Sequence, residues 1–250
     1  MKVGIIGTGT IGSILASKLV ASGHKVKVNN RSNPDVLEKT AHNLGAMPAS
    51  IQEIVKDVDV IIVSVPTNAI PLLPKNLFKN ISNDVIVVDT SNYYPFRDGE
   101  IKELKDGKVE SVWVSEQLAH PVIKAFNNLL AYSLSDNGKN AGVENRIAMA
   151  ISGDNENAKK TISELINNIG FDVVDAGSLD QSWRHQPGTP AYCTELNVAD
   201  LKQALADAVK EDSARLRDSA MAELSERLTP PSHEDIIKVN RSLFPKNPKN

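Results

Sequence analysis

Residues 2–13 read KVGIIGTGTIGS, an apolar run followed by a turn with three regularly placed glycines. Val3–Ile6 has the composition of a buried strand, and Ile11–Ser22 has helical spacing. The turn Gly7-Thr8-Gly9-Thr10-Ile11-Gly12 therefore matches G-x-G-x-x-G between a strand and a helix, which is the context that the motif needs. Free N–H groups at such a helix start face a phosphate, so the stretch predicts a dinucleotide-binding turn. A glycine-rich turn without a ligand is the alternative.

The rest of the chain continues this alternation of short apolar runs with longer helical segments. We interpret the following runs as strands: Val3–Ile6, Lys25–Val28, Val58–Val63, Val85–Val88, Val122–Ala125, Ile147–Ile151 and Phe171–Val174. Helical spacing marks Ile11–Ser22, Val36–Leu44 and Asn155–Ile169. This order predicts an α/β fold of the Rossmann type, a doubly wound, mostly parallel sheet with helices on both faces.

The last quarter of the chain departs from that pattern. Asp180–Leu196 carries too many large side chains for a linker, so we interpret it as an ordered loop or lid. Asn197–Leu228 has the spacing of one long amphipathic helix, unbroken or broken once, which Pro230 and Pro231 end. Its apolar stripe comprises Leu201, Leu205, Val209, Leu216, Ala220, Leu224 and Leu228. We predict a dinucleotide-binding domain over residues 1–178, with residues 179–250 as a loop and helical extension packed on it. We expect the tail Phe244–Asn250 to be mobile.

Composition excludes several classes of function. The chain has 250 residues, a net charge of −3 and one cysteine, Cys193. This charge gives no reason to expect nucleic acid or an anionic membrane as a partner, and no run approaches the roughly 20 apolar residues of a membrane span. The single cysteine excludes an intrachain disulfide and favours a reducing compartment, so we expect a cytoplasmic protein. The histidines are too scattered for a metal site.

The end of the second strand indicates the type of cofactor. NAD enzymes of this fold place an acidic residue there to bind the ribose 2′-hydroxyl, whereas this chain has Asn30, Arg31 and Ser32. A guanidinium can bind a 2′-phosphate with two hydrogen bonds, and the two neighbours can donate to it. The segment favours NADP(H), the alternative being a polar turn with an incidental arginine.

Several segments resemble the NADP oxidoreductases that depend on the deazaflavin coenzyme F420, and the related cytosolic domain of transmembrane metalloreductases. The segments are GTGTIGS (7–13) with NNRS (29–32), VSVPTNAI (63–70), VVDTSNYYP (87–95), HPVIKAFNNLLA (120–131) and GDNENAKKTISELINNIGFDVVDAGSL (153–179). They cover about the first three-quarters of the chain, and their order is more specific than any one of them. The segment SWRHQPGTPAYCTEL (182–196) departs from the family, which leaves the electron acceptor open.

The resemblance implies roles for three strand ends. Ser64, Val65 and Pro66 match residues beside the adenosine and its ribose, and Thr90, Ser91 and Asn92 match residues nearer the nicotinamide. Ala125, Phe126 and Asn127 match residues beside the site of hydride transfer. Asn92 and Asn127 offer donors and acceptors suited to a nicotinamide carboxamide. The resemblance also implies a homodimer, in which the alanine-rich helix contacts a second subunit. Packing within its own domain is the other interpretation of that helix.

Single residues with reactive side chains each have two interpretations. Lys124 either contacts a phosphate or acceptor or extends to solvent from a strand edge. The aromatic and cationic residues of the loop either bind an anionic acceptor or cap the core: Trp183, Arg184, His185 and Tyr192. For His120 we expect a structural hydrogen bond, and for Cys193 an inert thiol.

Three functions fit these residues. The first is an NADPH-dependent reductase of a flavin or deazaflavin, which needs proximity and orientation rather than a protein acid or base. The second is a reductase of a small carbonyl or imine, which needs a proton donor in its pocket. The third is an NADP-binding sensor without turnover. The acceptor and the direction of hydride transfer stay open.

Overall fold

A computed structural model describes residues 1–244 of the chain. Its main sheet consists of six strands: β1 (Lys2–Ile6), β2 (Lys25–Asn29), β3 (Met47–Pro48), β4 (Val60–Val63), β5 (Ile86–Asp89) and β6 (Ile123–Lys124). Their spatial order is β3-β2-β1-β4-β5-β6 and every pairing is parallel. Val60–Val63 is buried along its whole length, as a strand covered on both faces must be. The Rossmann-type sheet is confirmed.

Helices cover both faces of this sheet. Within residues 1–244, those that follow the first six strands are α1 (Thr10–Ala21), α2 (Pro34–Asn43), α3 (Pro95–Asp98), α4 (Lys102–Lys105), α5 (Glu110–Leu118) and α6 (Ala131–Asp136). One core cluster joins Leu15 and Leu19 of α1 to the sheet, and a second joins Trp113 and Val114 of α5 to it. The strand order changes direction between β1 and β4, and this change leaves a crevice at the carboxyl edge of the sheet between the two helix layers.

A second small sheet extends the first. Strands β7 (Ala148–Ile151) and β8 (Asp172–Asp175) are parallel and flank helix α7 (Glu156–Asn168). An antiparallel bridge between Lys124 and Ser152 joins β7 to β6. The predicted βαβ unit is thus present, with β7 beginning one residue later than predicted and both bounds of β8 shifted by one residue.

The C-terminal part differs from the predicted long helix. It forms α8 (Val198–Asp207), α9 (Lys210–Ser225) and α10 (His233–Ser242). The single break falls between α8 and α9. The predicted stripe is wrong at Val209, which lies in that break and is 52% exposed, and at Leu228, which follows α9 and is fully exposed. Helix α10 was not predicted. Its start is a capping box in which Ser232 and Asp235 exchange hydrogen bonds, a signal that the preceding prolines obscure.

The predicted tail and the absence of a membrane span are the remaining expectations about the fold. The tail Phe244–Asn250, predicted to be mobile, lies outside the described residues except for Phe244. Between residues 1 and 244 no helix is both long and apolar enough to cross a bilayer.

Candidate cofactor and hydride-transfer site

The three glycines of the first turn have different surroundings. Gly7 has φ 102°, and a Cβ atom on it would lie 2.2 Å from the carbonyl oxygen of Ser64. A Cβ on Gly12 would lie 2.0 Å from the carbonyl oxygen of Gly7. A Cβ on Gly9 would meet no heavy atom within 4 Å. Gly7 and Gly12 are therefore required by packing, whereas Gly9 leaves an open space in front of the turn.

The first backbone N–H groups of α1 have no side-chain cap. Gly9 occupies the N-cap position without a side-chain cap, and the first turn contains no acidic residue. Side chains instead fix the loop from behind, since Ser13 Oγ donates to the carbonyl of Thr8 (3.0 Å) and Asn30 Nδ2 donates to Thr8 Oγ1 (2.7 Å). Uncapped N–H groups at the positive end of a helix bind anions.

Arg31 follows the neighbouring strand and is exposed. Its guanidinium makes no hydrogen bond or ion pair with any of residues 1–244. By contrast, Asn30 is held by Thr8 and accepts a hydrogen bond from the backbone N–H of Ser32 (2.9 Å). Because β1 and β2 are parallel and Ile6 pairs with Asn29, the glycine turn and Arg31 leave the sheet side by side.

The residues at the ends of β4 and β5 differ in accessibility. Ser64, Val65 and Asn92 are half-buried and Pro66 is exposed, whereas Thr90 and Ser91 are buried. Thr90 Oγ1 donates to the carbonyl of Val63 (3.2 Å), and the N–H of Ser91 donates to Asp89 Oδ1 (2.8 Å). Ser91 Oγ is buried without a hydrogen-bond partner among residues 1–244. The open space at Gly9, the free start of α1 and unpaired Arg31 fit the pyrophosphate and 2′-phosphate of NADP(H).

The predicted hydride-site residues lie beneath the edge rather than on it. Ala125, Phe126 and Asn127 are at most 2% exposed, and Phe126 has φ 61°, a backbone conformation that non-glycine residues rarely adopt. The Asn127 amide is engaged by the protein. Its Nδ2 donates to Asn92 Oδ1 (3.1 Å) and to the carbonyl of His185 (2.8 Å). Asn92 is therefore the accessible member of this group, and Asn127 holds it in place.

His185 completes this network from the C-terminal loop. It is fully buried, with Nδ1 2.9 Å from Asn127 Oδ1 and Nε2 2.9 Å from Ser152 Oγ. Burial, with a smaller effect of the Lys124 charge, lowers the pKa of His185 to about 3. The imidazole is therefore neutral, with Nδ1–H donating to Asn127 and Nε2 accepting from Ser152.

Both interpretations of Lys124 are wrong. The side chain is 1% exposed, its Nζ lies 3.0 Å from Asp89 Oδ2, and it also donates to the carbonyl of Ser91. Ser111 Oγ donates to the same carboxylate oxygen (2.7 Å). A strand-edge lysine can turn inward when a buried carboxylate faces it, and the sequence alone does not show that pairing. The pair fixes the backbone of residues 89–91 just beneath the cofactor edge.

A second buried carboxylate supports the same loop. Glu110 accepts a hydrogen bond from the N–H of Tyr93 (3.1 Å). Burial raises the pKa of Glu110 to about 7, although the charges of Lys124 and Arg217 oppose the rise.

Most of the large loop residues cap the core. Trp183 is 9% exposed and packs with Val109 and Ala208, and Arg184 stacks on it, 4.5 Å from the ring centroid. Tyr192 instead contacts the loop after β5, where its hydroxyl lies 2.8 Å from the Tyr94 hydroxyl. Sequence reasoning missed this pair, since the two residues are 98 positions apart.

The remaining reactive groups have structural surroundings. His120 Nδ1 lies 2.7 Å from the carbonyl of Pro121, and burial raises the pKa of the Cys193 thiol to about 12. Among residues 1–244, no three His, Cys, Asp or Glu side chains are placed together to hold a metal ion.

Comparison with known proteins agrees with this geometry. Residues 2–93 match the family model described as NADP oxidoreductase coenzyme F420-dependent. The protein YjhV of Escherichia coli (strain K12) is 38% identical over 102 residues, which are 41% of this chain and 74% of that protein. The metalloreductase STEAP3 of Rattus norvegicus is 33% identical over 184 residues, which are 71% of this chain. The match covers only 34% of the metalloreductase.

A solved structure shares the fold over most of its length. Protein SMa0349 from Sinorhizobium meliloti superposes with a TM-score of 0.66 and 28% identity. The alignment covers 79% of this chain and 95% of that protein. The similarity therefore extends well beyond residues 2–93, the part that the family model matches.

Proposed function

This chain belongs to the family of the coenzyme F420-dependent NADP oxidoreductases, and we propose that it transfers a hydride between NADP(H) and a flavin or deazaflavin. The observation that carries this proposal is the combination of the open space at Gly9 with unpaired Arg31 on the adjacent strand end. A pyrophosphate fits the open space at Gly9, and a ribose 2′-phosphate fits the Arg31 guanidinium.

Different residues at the carboxyl edge of the main sheet bind different parts of NADP(H). The N–H groups at the start of α1 hold the pyrophosphate, and Arg31 with Ser32 selects the phosphorylated ribose. Ser64, Val65 and Pro66 lie against the adenosine side. Asn92 is the accessible polar group toward the nicotinamide, and its position is fixed through Asn127.

The state of the ionisable side chains supports a flavin-type acceptor. Bound NADPH supplies a hydride, and transfer to a flavin ring depends on proximity and orientation. Lys124 and His185, which adjoin the predicted hydride site, are both buried and bonded within the protein. Neither is free to move a proton, so the acceptor takes its proton from solvent.

One observation favours a second candidate, the reduction of a small carbonyl or imine. The paired hydroxyls of Tyr94 and Tyr192 adjoin the loop that carries Asn92, and burial keeps both protonated by raising their pKa values. A protonated phenol can donate a proton to a carbonyl oxygen or imine nitrogen. Tyr192→Phe would then lower the rate of carbonyl or imine reduction, whereas flavin reduction would be unaffected.

The test is oxidation of NADPH by the purified chain with FMN, FAD, riboflavin and coenzyme F420 offered in turn, and with NADH as the control cofactor. A panel of small ketones, keto acids and cyclic imines runs beside it. Turnover with one flavin-type acceptor supports the first candidate, and turnover with the second panel alone supports the other. NADPH binding without turnover in either panel contradicts both and leaves a binding module.

A further inference from the structure

A small cavity lies between the C-terminal loop and helices α9 and α10. Its volume is about 60 Å³, and residues of α9 and α10 form half of its wall. The apolar part includes Leu130, Met221, Leu224 and Ile236. The polar part comes from Tyr94, Tyr192, Cys193, Arg217 and Asn240. A partly enclosed space with several apolar walls and a few polar groups is typical of a small-molecule site.

The cation in this wall is buried and has bonds left to make. Arg217 is 9% exposed, and its guanidinium lies 5.6 Å from the centroid of the Tyr93 ring. Its Nε pairs with Asp218 Oδ1 (2.8 Å), a carboxylate that is largely exposed, and its charge also opposes the rise in the pKa of the buried Glu110. Its two terminal nitrogens make no hydrogen bond or ion pair with any of the 244 described residues. Because these nitrogens are accessible, an anion can bind to their N–H groups in place of water.

The two tyrosines line the same polar side of the space. The Tyr94 hydroxyl donates to the Tyr192 hydroxyl, with oxygens 2.8 Å apart, and the Tyr192 hydroxyl is in turn hydrogen-bonded to the Cys193 thiol. The cavity thus presents the Arg217 N–H fork beside two engaged hydroxyls, with aliphatic side chains on the rest of its wall.

We propose that this cavity binds a short-chain carboxylate, with its carboxylate on Arg217 and its alkyl end against Met221, Leu224 and Ile236. The fork geometry of a guanidinium matches a carboxylate. A volume of about 60 Å³ holds roughly four to six water-sized groups, which suits an acid of two to four carbons. The inference concerns binding and does not depend on which electron acceptor the chain uses.

The test is saturation-transfer NMR and calorimetry with butyrate, and with butyramide as a neutral ligand of the same shape. The variants are Arg217→Met, Arg217→Lys and the matched control Arg215→Met, which removes an exposed cation from the same helix. We expect butyrate to bind the unaltered chain and Arg215→Met with about millimolar affinity. We expect binding at least tenfold weaker in Arg217→Met, intermediate binding in Arg217→Lys, and no butyramide binding.

Folding is checked by thermal unfolding and by NADPH binding of each variant. If Arg217→Met does not fold, Ala220→Leu fills the cavity without changing its charge, and it must also abolish butyrate binding. Equal butyrate binding to Arg217→Met or Ala220→Leu would overturn the proposal. So would butyramide binding as tight as butyrate, or no butyrate binding to the unaltered chain.

Discussion

His185 Nδ1 lies 2.9 Å from Asn127 Oδ1, although 58 residues separate them in the chain. The contact joins the C-terminal loop to the end of β6, and Asn127 continues it to Asn92 at the cofactor edge. The loop is therefore part of the support of the predicted hydride site. His185 supports that edge from behind, whereas Trp183 and Arg184 pack over Val109 and Ala208.

Replacing His185 by Phe removes both ring hydrogen bonds and leaves Asn127 Oδ1 and Ser152 Oγ buried without partners. We expect the free energy of unfolding at pH 7 to fall by about 2–4 kcal/mol, since each unpaired buried group costs 1–3. Urea unfolding measures this loss. The control His120→Phe, in a half-exposed loop position, should change the free energy of unfolding by less than about 1 kcal/mol. Equal effects of the two substitutions would contradict the network.

The same residue predicts a pH dependence with a definite sign. The pKa of His185 in the folded chain, about 3, lies below its ordinary value of 6.5. The unfolded chain therefore binds more protons between these values, and the stability due to this group is full above pH 6.5 and is lost as the pH falls toward 3. The loss approaches about 1.4 kcal/mol per pH unit. His185→Phe should show a shallower decrease between pH 7 and 5.

The buried pair Lys124–Asp89 predicts a large and specific loss. Lys124→Met leaves the Asp89 carboxylate buried without its cation, and we expect the free energy of unfolding to fall by about 3–5 kcal/mol. The double variant Lys124→Met with Asp89→Asn should recover part of the lost stability, because it removes the uncompensated carboxylate as well. The exposed pair Lys102–Asp106 supplies the control, since Lys102→Met should cost less than about 1 kcal/mol. Urea unfolding of these three variants and of the unaltered chain measures these differences.

Glu110 predicts a pH dependence of the opposite sign. Because burial raises its pKa from 4.5 to about 7, the stability due to this group is full below pH 4.5 and is lost as the pH rises through 7. Glu110→Gln keeps an acceptor for the N–H of Tyr93 and cannot ionise. At pH 8 the variant should be more stable than the unaltered chain by on the order of 3 kcal/mol, and near pH 4.5 the two should be equal. Lower stability of the variant at pH 8 would show that the ionised carboxylate is required.

The glycine turn predicts that stability and cofactor affinity respond separately. Gly9→Ala adds a methyl group to open space, so unfolding should change by less than about 1 kcal/mol while the Kd for NADPH rises at least about tenfold. Gly12→Ala must displace the Gly7 backbone and should be markedly less stable. Fluorescence titration and thermal unfolding measure both quantities. Unchanged NADPH affinity in Gly9→Ala would place the pyrophosphate elsewhere.

The features that the sequence predicts well are those encoded locally. The strands of the main sheet are short apolar runs, except for the exposed two-residue strand β3, which was not predicted. The glycine turn has its strand and helix on either side, so the cofactor edge follows from topology rules. The break after Ala208 and helix α10 are less visible. Exposed Val209 continues the apolar spacing of α8, and two prolines precede the cap of α10.

The features that the sequence does not predict depend on contacts between distant segments. The inward turn of Lys124 requires Asp89 opposite it, and the engagement of Asn127 requires a histidine from the loop. Arg217 lies at an ordinary helical position, and only the meeting of α9 with Tyr94 and Tyr192 gives it a cavity to face. Amino-acid type alone indicates none of these partners. The homodimer likewise stays a prediction, which sedimentation of the purified chain tests.

The assignment of NADP(H) to this edge is tested by calorimetry of NADPH and NADH binding to the chain and to its Arg31→Ala variant. The assignment gives the Arg31 guanidinium the 2′-phosphate as its only contact. NADPH should bind the unaltered chain much more tightly than NADH, and Arg31→Ala should weaken NADPH binding by about 10–100-fold, as expected for the loss of a charge-assisted contact. NADH binding should stay within about twofold, well inside a kcal/mol. Equal affinities for the two cofactors in the unaltered chain, or equal weakening of both in the variant, would contradict the assignment of NADP(H) to this edge.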